Sequence, residues 1–419
     1  MKNTALPNTG NGYRRLFTAG IINGIGDRFS SIAMLALVLE LTGSGMAVGI
    51  SLGMRVLPYL FLAPLSGRLG SRLPRKAIMI ATDLFRVPVA LAFLWVDGES
   101  RLWVLYAASF ILASGEAIYS PLRKSAIPLL VPRDRLFAVN GLEQLMTGCV
   151  LILGAFAGGA LSLWFGPGMA FFLNAVSFLV AAFLVSGISF PVPLDPDGDM
   201  EGSAFGADPK PNIKGHRQGN PWRSLGLLVS GSLALQVIIG YELLVPLLNG
   251  LDNVLISVYA VQEFHAGELG VGAFYAALGM GLSLSFFAGR YLNRGLLAVA
   301  LTALLIEGGM LMWISGSDSF ALAFVLYILL ALAGGTGNAC LDTLVMRATP
   351  SSEQSFLFGI LSAAGNTLLG LSMLASGWLL ESVSPRVLGF AGGAGFACIA
   401  LLLGGYALLR ARKKGFKSL

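Results

Sequence analysis

Charge is what this chain has least of. Only 12% of its 419 residues are Asp, Glu, Lys or Arg, about half the share in a soluble globular chain. It carries two histidines and three cysteines. His216 and His265 lie far apart in expected loops, so no histidine metal site is indicated. Cys149, Cys340 and Cys398 fall in apolar stretches with no Cys-x-x-Cys, so neither a disulfide framework nor a thiol centre is indicated. There is no Gly-x-x-x-x-Gly-Lys-Ser/Thr loop to cradle a nucleotide, and the glycines of "GGTGNAC" (334–340) follow no strand. No nucleophile elbow, His-Glu-x-x-His or paired-carboxylate motif is present, so an enzyme is not expected and no cofactor is implied.

Long apolar runs are abundant. They recur at 101–122, 145–190, 296–315 and 387–409, and mean hydropathy is +0.76. About 20 such residues suffice to cross a bilayer as a helix. Cutting at charged, Gly and Pro clusters predicts twelve spans: 16–40, 45–66, 76–97, 101–122, 138–163, 168–190, 241–263, 267–290, 296–315, 320–345, 355–381 and 386–409. The intervening run 222–239 reads as a helix lying in the membrane interface. The 54 glycines fit close helix packing. The first apolar run has no small-residue cleavage site after it and reads as a retained span.

Basic residues orient the chain. Arg14, Arg15, Arg68, Arg72, Arg75, Lys76, Arg123, Lys124, Arg133, Arg135, Arg290, Arg294, Arg347 and the tail "RARKKGFK" fall on one side. The positive-inside rule then predicts cytoplasmic termini. The pI near 9.3 follows from that topology, and no nucleic-acid partner is expected. Residues 191–222 are rich in Pro, Gly and Asp and read as a flexible linker. They divide the chain into a six-helix unit at 1–190 and an interfacial helix with six more spans at 223–419.

The two units repeat. "INGIGDRFSS" opens the first and "LNGLDNVLIS" the second, each followed by a Gly-containing turn and a Gly-rich helix. "IPLLVPRDRLFAVNGL" (127–142) matches "VMRATPSSEQSFLFGI" (345–360). A parallel duplication of this kind places the substrate site near the midplane between the halves. An acid inside the hydrocarbon is functional by default, which makes Asp27 and Asp252 candidates facing one central cavity, with Asn23, Asn249 and Asn253 beside them. Glu116 is a third candidate proton carrier, and Arg55 a lone mid-span cation that partners an acid or lines the cavity. Asp83 and Arg86, at i and i+3, read as a structural or gating pair within reach of Arg68 or Arg72. Glu307, Asp342, Asn338, Asn140, Glu143, Gln144, Asn174 and Asn366 are polar positions read as structural as readily as cavity-lining.

The combination of "GD" (26–27), "LTGSGMAVG" (41–49), "GRLGSRLPRK" (67–76), "TDLFR" (82–86), "SPLRKSAIPLLVPRDRLFAVNGL" (120–142) and "GAFAGG" (154–159) resembles the major facilitator superfamily. The likeness is strongest to its twelve-helix drug–proton antiporter branch of macrolide-efflux and enterobactin-exporter proteins. Two positions depart from the family pattern: Ser71 stands where the loop after the second helix usually has Asp, and Ala155 where the fifth helix usually has Pro. The resemblance implies an all-α protein of two six-helix bundles that exports amphipathic or cationic organic compounds in exchange for protons. A bacterial inner membrane, contact with its lipids and a working monomer belong to that expectation. A siderophore exporter, a lipid or metal-ion transporter and a transport-dead receptor are the alternatives.

Overall fold

The computed structural model describes residues 10–42, 45–190, 221–288 and 295–413, without the side chains of 67–68, 71–72 and 155–163 among others. The first bundle consists of α1 (Asn11–Thr42), α2 (Gly45–Arg72), α3 (Arg75–Ala92), α4 (Leu102–Leu130), α5 (Leu136–Phe165) and α6 (Pro167–Ser186). A short helix, α7 (Pro221–Gly231), precedes the second bundle. That bundle is α8 (Leu233–Val258), α9 (Gly267–Ala288), α10 (Leu296–Ser315), α11 (Phe320–Ala348), α12 (Ser351–Leu379) and α13 (Pro385–Lys413). Among the described residues, eleven helices are long and apolar enough to cross a bilayer. The twelfth, α2, has a shorter apolar run at Ile50–Ser66. Large apolar side chains on the outside, such as Phe61, Trp164, Phe183 and Leu374, present the surface that acyl chains require.

Two boundaries differ from the sequence reading. The run 222–239 is not one interfacial helix. α7 ends at Gly231, and Ser232, in an extended conformation, accepts a hydrogen bond from the Leu235 amide and so caps α8. Hydropathy alone could not see the break, because the residues on both sides are apolar. The fourth helix, expected to end at 122, continues through Pro121 and Pro128 to Leu130. Arg123 and Lys124 are therefore helical residues rather than loop residues. The expected linker at 191–222 lies outside the described residues except for Pro221 and Trp222.

The repeat is visible in the backbone. α4 leaves its last turn through Val131 (φ −132°, ψ 133°) and α5 is approached through Pro132 (φ −58°, ψ 147°). α11 leaves through Thr349 (φ −113°, ψ 130°), and Pro350 (φ −57°, ψ 146°) caps α12. In each bundle the first helix packs on the fifth: α1 on α5, α8 on α12.

The bundles meet along two seams, α2 against α12 and α5 against α9. Both depend on missing side chains. A Cβ on Gly148 of α5 would come 2.4 Å from the Gly279 carbonyl oxygen of α9, and a Cβ on Gly359 of α12 would come 2.2 Å from that of Ala63 on α2. At one end, cross-bundle hydrogen bonds gather. Lys124 bonds Asp342 at 3.1 Å, Ser125 meets Ser355 at 2.7 Å, and Asn140 donates to Thr343 Oγ1 at 2.8 Å. Arg75 reaches the carbonyl oxygens of Ser125 and Ser351, and Arg347 that of Arg133. This is the face that bears the start of α1 and the end of α6, where Arg15 bonds the Gly187 carbonyl. The bundles are closed together at this terminal face.

Behind that closure, Arg123 holds Glu143 through two hydrogen bonds of 2.6 and 3.1 Å, and the Tyr13 hydroxyl donates to the same carboxylate at 2.9 Å. The pair ties α4 to α5 and the tyrosine ties α1 to both. Both charged side chains are about nine-tenths buried, and breaking such a pair from one side leaves a charge with no partner. Glu143→Leu is expected to lower stability by about 3 kcal/mol or more, read as a fall in thermal unfolding temperature in detergent. Arg123→Met combined with Glu143→Leu should recover much of that loss.

Candidate functional site

Arg86 is the centre of the polar interior. It lies three helical turns into α3, about 16 Å along the axis from Arg75, and its side chain is 1% exposed. Three carboxylates from three helices surround it. Glu116 of α4 is bonded at 2.7 Å, Asp27 of α1 at 3.3 Å, and Asp83 of its own helix at 3.6 Å. The guanidinium also lies 4.4 Å from the centre of the Phe178 ring on α6, a cation–π contact. Gly115 makes this possible, since a Cβ there would sit 2.8 Å from Arg86 Cδ. A second ring of amides holds the acids: Asn23 donates to Asp83 Oδ1 at 3.2 Å and Asn174 to Asp27 Oδ1 at 3.5 Å.

The three acids are not equivalent. Asp83 is fully buried, whereas Asp27 and Glu116 are 22% and 31% exposed. Asp27 also borders a recess with Ser30, Met34, Arg55, Phe93, Ser109 and Leu112, whose free volume of about 10 Å³ suits about one water. One guanidinium therefore faces three carboxylates, two of which solvent can reach. Such a cluster can take up a proton or a second cation while its buried Arg–Asp core stays neutral overall.

Of the sequence candidates, Asp27, Glu116, Asp83, Arg86 and Asn23 converge on this one centre. The Asp83–Arg86 pair thus lies inside the first bundle rather than at a gate between bundles. The side chains of Arg68 and Arg72, its expected partners, lie outside the described residues. Arg55 borders the recess beside Asp27 but hydrogen-bonds the Ser31 hydroxyl rather than an acid.

Asp252 does not join them. It is 8% exposed inside the second bundle, with the Tyr327 hydroxyl of α11 as its side-chain neighbour. Glu307 of α10, equally buried, lies nearby against Gly334. The expectation that Asp27 and Asp252 face each other across one cavity is thereby corrected, and the reason is a register of one residue. With Asn23-Gly24 aligned on Asn249-Gly250, Gly26 corresponds to Asp252 and Asp27 to Asn253. Gly24 faces Val150 of α5 and Gly250 faces Leu369 and Ser372 of α12, the corresponding fifth helices. One residue along a helix turns a side chain by about 100°. Asp252 therefore takes the inward place that Gly26, pressed against Ser177 and Asn174, occupies in the first bundle. Asn253 donates to the Asn249 carbonyl of its own helix at 2.9 Å.

Two groupings escaped the sequence reading. The Arg123–Glu143–Tyr13 set was hidden because Arg123 reads as a loop cation. Glu242 of α8 lies near Lys124 and Asp342 where the bundles meet; it falls at the very start of the expected span 241–263, whereas α8 begins at Leu233 and carries it inside the helix.

The arrangement of two six-helix bundles matches what comparison with known proteins gives. The description "Major Facilitator Superfamily" fits residues 16–366. The MFS-type transporter YfiS of Bacillus subtilis is 25% identical over 175 residues, 42% of this chain and 41% of that protein. Macrolide efflux protein A of Streptococcus pyogenes is 32% identical over 121 residues, 27% of this chain and 30% of that protein. The matched segments thus span less than half of these relatives. The crystal structure of the E. coli fucose:proton symporter superposes with a TM-score of 0.71 at 13% identity, over 94% of this chain and 98% of that one. The chain is a multi-pass membrane protein that belongs to the major facilitator superfamily.

Proposed function

We propose that this transporter exports amphipathic or cationic organic compounds in exchange for protons, by alternating access, from the cytoplasmic side of a bacterial inner membrane. The observation that carries the proposal is the excess of acid at Arg86, with Asp27 and Glu116 part-exposed and Asp83 sealed. The likeness of part of the chain to a macrolide efflux protein supports the direction and the class of cargo.

The exchange follows from charge. An ionised Asp27 or Glu116 attracts a cation, and a protonated one does not. A proton and a cationic substrate therefore compete for one electrostatic site and bind in turn, which is the requirement for antiport. Arg86 cannot lose its own proton at physiological pH. It stays as a fixed counter-charge, so that uptake or release of a proton changes which acid it grips and hence how α1, α3 and α4 pack. The seams α2–α12 and α5–α9 provide the surfaces along which one bundle rocks on the other. The basic residues of the terminal face support a cytoplasmic location for that face, where they also suit anionic lipid headgroups. A single chain holds the whole set of charges, consistent with a monomer. A metal-ion cargo is less favoured, because a metal at these acids would displace or repel the guanidinium already bonded to them.

In proteoliposomes with an imposed pH gradient, Asp27→Asn and Glu116→Gln are each expected to reduce efflux of a fluorescent organic cation at least tenfold with little change in thermal stability. Asp83→Asn should instead lower stability, because it removes the sealed partner of Arg86. Wild-type rates in both Asp27→Asn and Glu116→Gln would contradict the proposal.

A further inference from the structure

The contact that closes the terminal face has an unusual composition. Lys124 of α4 places its ammonium 3.1 Å from both oxygens of Asp342 on α11. The same nitrogen is 5.6 Å from the centre of the Phe358 ring on α12. Glu242 of α8 adds a second carboxylate near the ammonium. The cation comes from the first bundle, and the two acids and the ring come from three helices of the second. The pair is not sealed: the Lys124 and Asp342 side chains are 43% and 18% exposed.

The duplication makes this asymmetry informative. Lys124 and Asp342 are 218 residues apart, the same spacing that separates the matched prolines Pro132 and Pro350. They are corresponding positions of the two halves, meeting where a two-fold relation brings a position onto its own copy. Phe358 corresponds to Asn140 by the same spacing. An unmodified duplicate would set like charge against like. Here one copy has become the ammonium, and the other has become a carboxylate with an aromatic wall.

We propose that Asp342, Glu242 and Phe358 form a recognition cage for the ammonium group of an organic cation, and that Lys124 fills it as a built-in stand-in. This rests on the reading of cationic cargo given above and adds a first receiving site at the terminal face, from which the cargo passes on to the Arg86 centre where it competes with the proton. A carboxylate pair supplies charge-assisted hydrogen bonds or plain Coulomb attraction, and the ring face supplies a cation–π contact. Lysine suits the role of displaceable occupant, because it offers a point charge on a flexible stem rather than the bidentate grip of arginine. An arriving cation competes with a tethered one at high effective concentration. When it wins, the Lys124–Asp342 bond that fastens the bundles at the terminal face is released. Cargo binding and unlocking are then a single event.

The test is binding of rhodamine 6G, an aromatic ammonium ion, to purified protein by fluorescence anisotropy, with thermal stability measured on each variant. Lys124→Gln removes the competitor and is expected to tighten binding about tenfold. Asp342→Asn and Phe358→Leu should weaken it at least tenfold, and Glu242→Gln severalfold. The decisive variant exchanges the pair, Lys124→Asp with Asp342→Lys. It keeps the ion pair that fastens the bundles but moves the acid away from Phe358 and Glu242. The cage requires that this variant lose rhodamine binding while remaining as stable as the parent; wild-type affinity in it, or an unchanged Kd in Lys124→Gln, overturns the cage. If those results appear while pH-driven efflux still depends on Asp27, the exporter reading stands without the cage. Absence of both binding and efflux removes both.

Discussion

A guanidinium that is 1% exposed in the middle of a membrane-embedded bundle constrains everything around it. It cannot shed its proton, and an uncompensated charge in that setting costs several kcal/mol or more. The first bundle is arranged to meet that demand. α1 supplies Asp27 and, through Asn23, a hold on Asp83; α4 supplies Glu116; α6 supplies the Phe178 face and Asn174. Gly115 clears the space in which the side chain lies. Four of the six helices are thus positioned by one residue. The compensation overshoots: three carboxylates surround one guanidinium, and two of them stay part-exposed.

The second bundle repeats the backbone but not this chemistry. Its buried acids, Asp252 and Glu307, have a tyrosine hydroxyl and glycine-cleared space beside them and, among the described residues, no ion-pair partner. Its contribution to charge lies instead at the meeting of the halves, in Asp342 and Glu242 facing Lys124. The duplication thus supplied one architecture on which two polar centres of different kind were built. One lies inside the first bundle and ties its helices together; the other lies between bundles and fastens them. Transport by rocking bundles needs both functions, a place for the coupling ion and a contact that breaks.

Much of the architecture could be read from the chain because a bilayer admits few solutions. Apolar runs of span length, basic loops and the Asn-Gly repeat predict twelve helices in two matched sets, and the paired prolines at 132 and 350 have nearly the same backbone angles. What could not be read were facts one residue or one turn in size. The step between Asp27 and Asp252 is a single position in an aligned repeat, yet it turns one acid toward an arginine and the other into a separate interior. The end of α4 lies eight residues past its expected place because two prolines inside a helix look like breakers in sequence. That shift turned Arg123 from a topology marker into half of a buried ion pair. Glu116 and Asp83–Arg86 were legible individually, but their convergence on one nitrogen group depends on how α3 and α4 cross, which no local pattern encodes.

In the proposed cycle, substrate and proton compete for the acid excess at Arg86. The most direct measurement is proton release on substrate binding, followed with a pH-indicator dye in weakly buffered detergent solution at a pH near neutrality. Adding a saturating organic cation is expected to release on the order of one proton per transporter, and the release is expected to be lost in the Asp27→Asn, Glu116→Gln double variant, whose neutral side chains no longer exchange a proton for the cation. Full proton release from the double variant would place the exchange elsewhere and contradict the account.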